Sequence, residues 1–349
     1  MDLVIGGGLV GTAQGLDASA HDQTLHCPRG TPGGGIGAAV VASAMLERVL
    51  APARPINLRL TLAPQLHGPG DPTMRFTPDG IWRATRTIDG PATIRITIAA
   101  AGKLRVTTWG PGAEAAIEGA ADLVGLNDEP EALQPRDRLV RELSRRMPGL
   151  RIGRTNAVIE ALIPAIVEQK VSGSDAHRSY RRLLFEYGDL APGPPDDIAR
   201  LRLLVPPQPE VLARIPYHDL HPIGLERRRA EVIRNAASHA ARLEEGRLLP
   251  LEDAYRRLRA LPGVGPWTAA EVAFRALGDP DAVSVGDFHI PNMVAWAFAR
   301  EPRGTDERML ELLEPYRGQR GRVIRMLEAA GISAPRYGPR LPPRRIENL

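Results

Sequence analysis

The chain has almost no cysteine and almost no lysine. Its one cysteine, Cys27, cannot form an internal disulfide, complete a four-cysteine zinc site or ligate an iron–sulfur cluster alone. Lysine stands at two positions, Lys103 and Lys170, among 45 lysine and arginine residues. The formal net charge of +4 is therefore carried by arginine. Aromatic residues make up 4% of the chain. No apolar run reaches the roughly eighteen residues that a transmembrane helix needs. No Lys/Arg-rich segment precedes an apolar stretch at the N-terminus, so a secretory signal is not expected. Hydrophobic residues at 43% and charged residues at 25% fit a soluble globular protein. A length of 349 residues gives room for two or three domains. These features together predict a cytoplasmic, mildly basic, multidomain protein.

Three regions and a tail follow from the patterning. Residues 1–53 form a Gly-rich N-terminal extension with ten of the 35 glycines in its first 40 positions, a composition that resists packing. Within it, 38–50 reads as a short apolar helix. Residues 54–135 read as an α+β domain. Ile56, Leu58, Leu60 and Leu62 alternate with polar residues, as do Ile94, Ile96 and Ile98, and then Leu104 and Val106. Asp79-Gly80 and Asp89-Gly90 are hairpin-turn signals between such runs. The stretch 113–126 reads as a covering helix. From 136 to 335 the periodicity becomes helical. Val158, Ile159, Leu162, Ile163, Ile166 and Val167 share a helix face, with Thr155 or Asn156 as its N-cap and Pro164 expected to kink it. Residues 189–209 hold six prolines and read as a loop. Further helices are expected near 209–215, 225–242, 251–261, 266–277, 288–299, 305–315 and 318–330. The tail 336–349 is Arg- and Pro-rich.

The most informative segment is 258–271, containing Leu261-Pro-Gly263-Val264-Gly265-Pro-Trp267-Thr-Ala269. Two helical stretches meet at a turn too tight for ordinary side chains. Gly263 and Gly265 let the backbone turn, Val264 packs inward, and Ala269 lets the helices approach. Pro266 suits the first turn of the second helix, whose free N–H groups face outward and suit a phosphate. This resembles a helix–hairpin–helix, a sequence-independent binder of the DNA backbone. Asp287 follows Gly265 at 22 residues, ahead of an apolar helix with Met293, Val294 and Trp296, and is a capping candidate.

A hairpin, its helix, a short loop and a capping aspartate resemble the helix–hairpin–helix/Gly-Pro-Asp DNA glycosylases. The stretches 148–152 and 165–172 are similar to those of bacterial 3-methyladenine DNA glycosylase II. The resemblance spans roughly 55–335. It implies an α+β fold in which a small antiparallel sheet domain precedes an all-helical glycosylase domain. It also implies a repair enzyme that flips an alkylated purine from double-stranded DNA and cleaves its N-glycosidic bond. Asp287 is then the catalytic carboxylate. Trp267, Glu271 and Tyr316 are pocket positions, although Glu271 stands where the family has an aromatic. Gln169 and Lys170 fall on the loop that fills the hole left by the flipped base, with Lys170 replacing an apolar wedge. Gly263, Val264 and Gly265 contact DNA, and the carbonyls of Arg259, Leu261 and Val264 hold a monovalent cation, Na+ or K+. No other cofactor is implied. Bifunctional relatives carry a nucleophilic lysine at the position of Trp267, so base release without strand cleavage is expected. The four-cysteine iron–sulfur branch is excluded. A monomer in the cytoplasm, nucleoid-associated when bound to DNA, is expected.

Other signals are weaker. Residues 3–11 fit G-x-G-x-x-G after an apolar run, as in a flavin- or nicotinamide-binding unit, but no complete mononucleotide half fits before the sheet begins. His218 and His221 have helical spacing without further metal ligands. Arginine clusters at 178–182, 227–229 and 317–325 are candidate phosphate contacts or solvated helix faces. The alternative reading is a helix–hairpin–helix DNA-binding protein without glycosylase activity.

Overall fold

A computed structural model describes residues 45–335. The Gly-rich stretch up to residue 44, with its G-x-G-x-x-G run and Cys27, and the tail 336–349 lie outside the described residues. Five strands, β1 (Met45–Leu50), β2 (Met74–Thr77), β3 (Gly80–Thr87), β4 (Gly90–Ile98) and β5 (Leu104–Trp109), form one antiparallel sheet in the order β1-β5-β4-β3-β2. The two Asp-Gly turns lie where expected, with Gly80 at φ +137° and Gly90 at φ +126°, backbone that glycine adopts without a Cβ clash.

Three expectations for this region are corrected. The helix expected over 38–50 is, from Met45 onward, the edge strand β1, so the sheet starts at Met45 rather than at 54. The open edge of β5 presents N–H and C=O groups that need partners, and pairing Met45 with Trp109 through Leu50 with Leu104 satisfies them. The strand expected over 56–62 is a short helix, α1 (Leu58–Leu62), whose buried residues Leu58, Thr61 and Leu62 follow helical spacing. Asn57 caps it by accepting from Leu60 N at 3.0 Å. The Pro-rich loop 189–209 contains a small ribbon, β6 (Asp189–Leu190) with β7 (Leu204–Val205), and a helix between them that opens on Pro195. This insertion covers one sheet face, where Trp82 and Trp109 stack at 5.5 Å beside Ile198, Leu201 and Leu203. The short helices α2 (Ala113–Glu118) and α3 (Ala120–Leu123) fill the other face with Ile94, Ile96, Leu104 and Val106.

The helices that follow are α4 (Arg138–Arg146), α5 (Val158–Val167), α6 (Gly173–Tyr187), α7 (Pro195–Leu201), α8 (Pro209–Arg214), α9 (Tyr217–Leu220), α10 (Arg227–Ser238), α11 (Ala240–Glu244), α12 (Leu251–Arg259), α13 (Pro266–Val272), α14 (Ile290–Ala299), α15 (Asp306–Leu313) and α16 (Arg320–Ala329). They build two cores. The first surrounds α5, which is buried at every position but Glu160 and remains one element through Pro164. Neither Thr155 nor Asn156 caps α5. Glu244 of α11 does so, accepting from Val158 N at 3.0 Å and Ile159 N at 2.8 Å. Glu160 turns toward the sheet and accepts from Arg83 and Thr85, which ties the helical part to β3. The second core gathers α4, α14, α15 and α16 around Met309, Leu313, Val323 and Leu327.

Candidate active site

The hairpin closes the first core. Leu261 and Val264 are buried in it, and Val264 N donates to Leu261 O at 3.0 Å. Gly263 has φ +91°, and a Cβ built there would lie 2.3 Å from Val232 Cγ2, so both backbone and space require glycine. Gly265 differs: its φ is −92°, and nothing in the protein lies within 4 Å of a Cβ built on it. Pro266 begins α13, and the fully buried Ala269 donates its N–H to Gly265 O at 3.0 Å.

Gln169 lies against the hairpin. Its side-chain amide donates to Gly263 O at 3.0 Å and to Thr268 Oγ1 at 2.9 Å. It is therefore a clamp between the loop after α5 and the hairpin, while Lys170 is exposed, with φ +55°. Of the three carbonyls named for a cation, that of Leu261 already accepts from Val264 N–H.

Asp287 lies in the loop leading into α14. Its Oδ1 accepts from His289 N at 2.6 Å and Ile290 N at 2.8 Å, which caps the helix. Its Oδ2 accepts from Trp267 Nε1 at 3.0 Å. Two candidates far apart in sequence are thus in direct contact. Asp306, at the start of α15, accepts from Gly286 N with both oxygens at 3.0 Å and anchors the residue before Asp287. Sequence reasoning missed Asp306, because nothing local marks a helix-start aspartate as holding another loop. Phe288, beside Asp287, is 77% exposed and meets the His289 ring edge-on at 5.0 Å.

Glu271 is one helical turn beyond Trp267 and is not free. It accepts from Ser284 Oγ and is paired with Arg275. Arg275 also donates to Pro64 O at 2.9 Å. Burial opposes the Arg275 charge, but the carboxylates of Glu271 and Glu168 outweigh it and hold the guanidinium above its ordinary range. Burial likewise pushes the Glu168 carboxyl up. The hydrogen bond with His67 and the charge of Arg275 reverse this and leave it below its ordinary value. Arg275 and Ser284 are further residues that the sequence did not single out.

Tyr316 packs among the helices of the second core. It is 3% exposed there, 6.0 Å from the Phe298 ring, with its hydroxyl donating to Asp137. Most of the clustered arginines have structural partners. Arg178 pairs with Asp175, Arg320 with Asp281 and Arg322 with Asp128, and Arg229 is buried against Val167 O. An open groove of about 820 Å³ includes Leu261 and Pro262 of the hairpin but neither Trp267 nor Asp287. Among the described residues, no group of three or more His, Cys, Asp or Glu is arranged to hold a metal, and no helix is long and apolar enough to cross a membrane.

Residues 163–317 match the family model described as HhH-GPD superfamily base excision DNA repair protein. The chain is 34% identical over 169 residues to the "Probable bifunctional transcriptional activator/DNA repair enzyme AlkA" of Mycobacterium tuberculosis, covering 47% of this chain and 33% of that protein. It is 25% identical over 185 residues to the DNA-3-methyladenine glycosylase of Bacillus subtilis, covering 52% of this chain and 59% of that one. The chain thus spans between a third and about three fifths of these curated relatives. A 3-methyladenine DNA-glycosylase from Archaeoglobus fulgidus superimposes with a TM-score of 0.67 at 20% identity, over 81% of this chain and 97% of that one, and so shares the fold. The matched residues 163–317, which carry the hairpin, Trp267 and Asp287, are thus similar to the HhH-GPD superfamily of base excision DNA repair proteins.

Proposed function

We propose that the protein is a monofunctional DNA glycosylase that flips an alkylated purine of the 3-methyladenine or 7-methylguanine type out of duplex DNA and hydrolyses its N-glycosidic bond. The observation that carries this reading is the Asp287 carboxylate at the head of α14, held by His289 N–H, Ile290 N–H and the indole of Trp267, which stands on the second helix of the hairpin. The names of the relatives, AlkA and DNA-3-methyladenine glycosylase, support the substrate class.

An N-alkylated purine is cationic and leaves readily. Its departure builds positive charge on the sugar, and a fixed carboxylate stabilises that charge without reorganising. Oδ1 is filled by its two backbone N–H bonds, whereas Oδ2, which accepts only from Trp267, keeps acceptor capacity that suits contact with the sugar or orientation of the attacking water. Trp267 offers no amine, so no Schiff base forms and the strand stays intact after base loss. The hairpin backbone at Gly263, Val264 and Gly265 contacts a phosphate, and Lys170 projects from the clamped loop toward the DNA. The carbonyls of Arg259, Leu261 and Val264 are neutral, hard donors of the kind a Na+ or K+ ion takes. The enzyme works as a monomer, in the cytoplasm, on the nucleoid.

The test incubates methylated duplex DNA with wild type and with Asp287→Asn and measures free bases by mass spectrometry. Release of 3-methyladenine or 7-methylguanine by wild type, its loss in the variant, and unbroken strands before alkali treatment are expected. DNA binding without any base release by wild type refutes the reading and leaves a DNA-binding protein.

A further inference from the structure

The open groove beside the hairpin is lined by cations more than by the apolar side chains of a small-molecule pocket. One wall is α12, which runs into the turn and contributes Asp253, Arg256 and Arg257. The other is the end of α10 with α11, which contributes Asn235, His239 and Arg242. The lining sets three arginines and a histidine against one carboxylate. Leu243 and Leu261 belong to it as buried apolar residues.

Two of the arginines are weakly engaged within the protein. Arg242 is exposed, and among the described residues its side chain makes no hydrogen bond or ion pair. Arg256 meets Asp253 at 2.8 Å, but the two side chains are 72% and 42% accessible, and an ion pair so exposed to water is weak. Arg257 is the fixed one. It donates to Glu245 and to Arg242 O, both at 2.8 Å, and so ties α12 to α11. The groove is therefore braced by one arginine and carries one available arginine on each wall.

Its position matters as much as its charge. Ala260, Leu261 and Pro262 end the groove where Gly263 begins the turn. Arg256 stands about 9 Å back along α12 from Pro262, at about 1.5 Å per residue, which covers roughly two to three nucleotides of one DNA strand at about 3.4 Å each.

We propose that this groove is a second phosphate-binding surface, which takes the backbone of duplex DNA beyond the phosphate at the hairpin, with Arg242 and Arg256 as its contacts. The guanidinium fork matches a phosphate, and neither arginine is tied strongly enough to refuse one. Contacts to phosphate fix register and add affinity without reading sequence. The proposal rests on the DNA-binding part of the function proposed above and not on base release.

The test measures the affinity of the full chain for an undamaged labelled duplex by fluorescence anisotropy across a series of salt concentrations. Wild type is compared with the double variant Arg242→Ala, Arg256→Ala. Each phosphate neutralised adds about 0.9 to the slope of log affinity against log salt, so the double variant is expected to be shallower by about 1.8. Its deficit against wild type should then shrink by roughly tenfold for a fourfold rise in salt. Arg242→Lys with Arg256→Lys should keep the wild-type slope, because an ammonium also displaces counterions. Lys103→Ala with Arg105→Ala, at the start of β5, removes the same charge from the sheet and should leave the slope unchanged. Thermal melts establish that each variant is folded. An unchanged slope in the folded alanine variant overturns the proposal and assigns the groove to a partner other than DNA. Equal flattening by the sheet variant also overturns it, since net charge alone would then explain the effect. Wild type that binds no duplex refutes the DNA-binding reading itself.

Discussion

Two glycines of one turn should respond to alanine in opposite ways. At Gly263 the backbone sits at φ +91°, and a Cβ would meet Val232 Cγ2 at 2.3 Å. The left-handed conformation costs an L-residue about 1–2 kcal/mol, and pushing a buried valine aside costs roughly 1–3 kcal/mol more. Gly263→Ala should therefore lower stability by about 2–5 kcal/mol, on the order of 5–10 °C in Tm. At Gly265 the φ is −92° and no protein atom lies within 4 Å of the new Cβ. Gly265→Ala should shift stability by no more than about 0.5 kcal/mol. On the proposed reading its methyl group would instead stand where a phosphate is to approach the start of α13, and loss of one N–H contact to a charged oxygen amounts to roughly tenfold in affinity. Calorimetry and anisotropy on an undamaged duplex separate the two effects. Equal destabilisation by both substitutions, or Gly265→Ala with full DNA affinity, would refute the division of labour between a folding glycine and an approach glycine.

Three further outcomes follow from individual contacts. Trp267→Phe keeps an aromatic ring, though a smaller one, and removes the N–H on Asp287, so single-turnover base release should slow by roughly three- to tenfold with DNA affinity unchanged. Glu244→Ala leaves Val158 and Ile159 N–H uncapped and should cost about 1–2 kcal/mol in urea unfolding. Burial holds the Glu244 carboxyl above 4.5, only partly offset by those N–H groups, so the native state binds the proton more tightly than the unfolded chain. Its contribution to stability should thus fall as pH rises from about 4.5 through the raised folded value, and Glu244→Gln should abolish that slope. Asp128→Ala strands the Arg322 guanidinium, which is 2% exposed, and should cost roughly 3–5 kcal/mol.

The hairpin was legible because its determinants are consecutive: a positive φ at Gly263, an inward Val264 and a Pro at the first helical position act within five residues. The Asp-Gly turns were legible for the same reason. The 45–50 and 56–62 segments were not. Met-Leu-Glu-Arg-Val-Leu has ordinary helix formers, and only the open edge of β5 makes it a strand. Asn-Leu-Arg-Leu-Thr-Leu alternates like a strand, but Asn57 stops the alternation by capping a single helical turn. The cap of α5 could not be found near Thr155, because its acceptor, Glu244, arrives from another helix.

By itself, the sequence determined the α+β order of the chain, the helix–hairpin–helix, the absence of a lysine at position 267 and the candidacy of Asp287. Each depends on local backbone chemistry or on the identity of one side chain. Only the tertiary structure decided which side chains share the site. It joined Trp267 to Asp287, turned Gln169 into a clamp, withdrew Tyr316 into the second core and neutralised Glu271 with Arg275. These outcomes depend on long-range packing and on competition for hydrogen-bond partners, and neither is encoded in the spacing of residues along one segment.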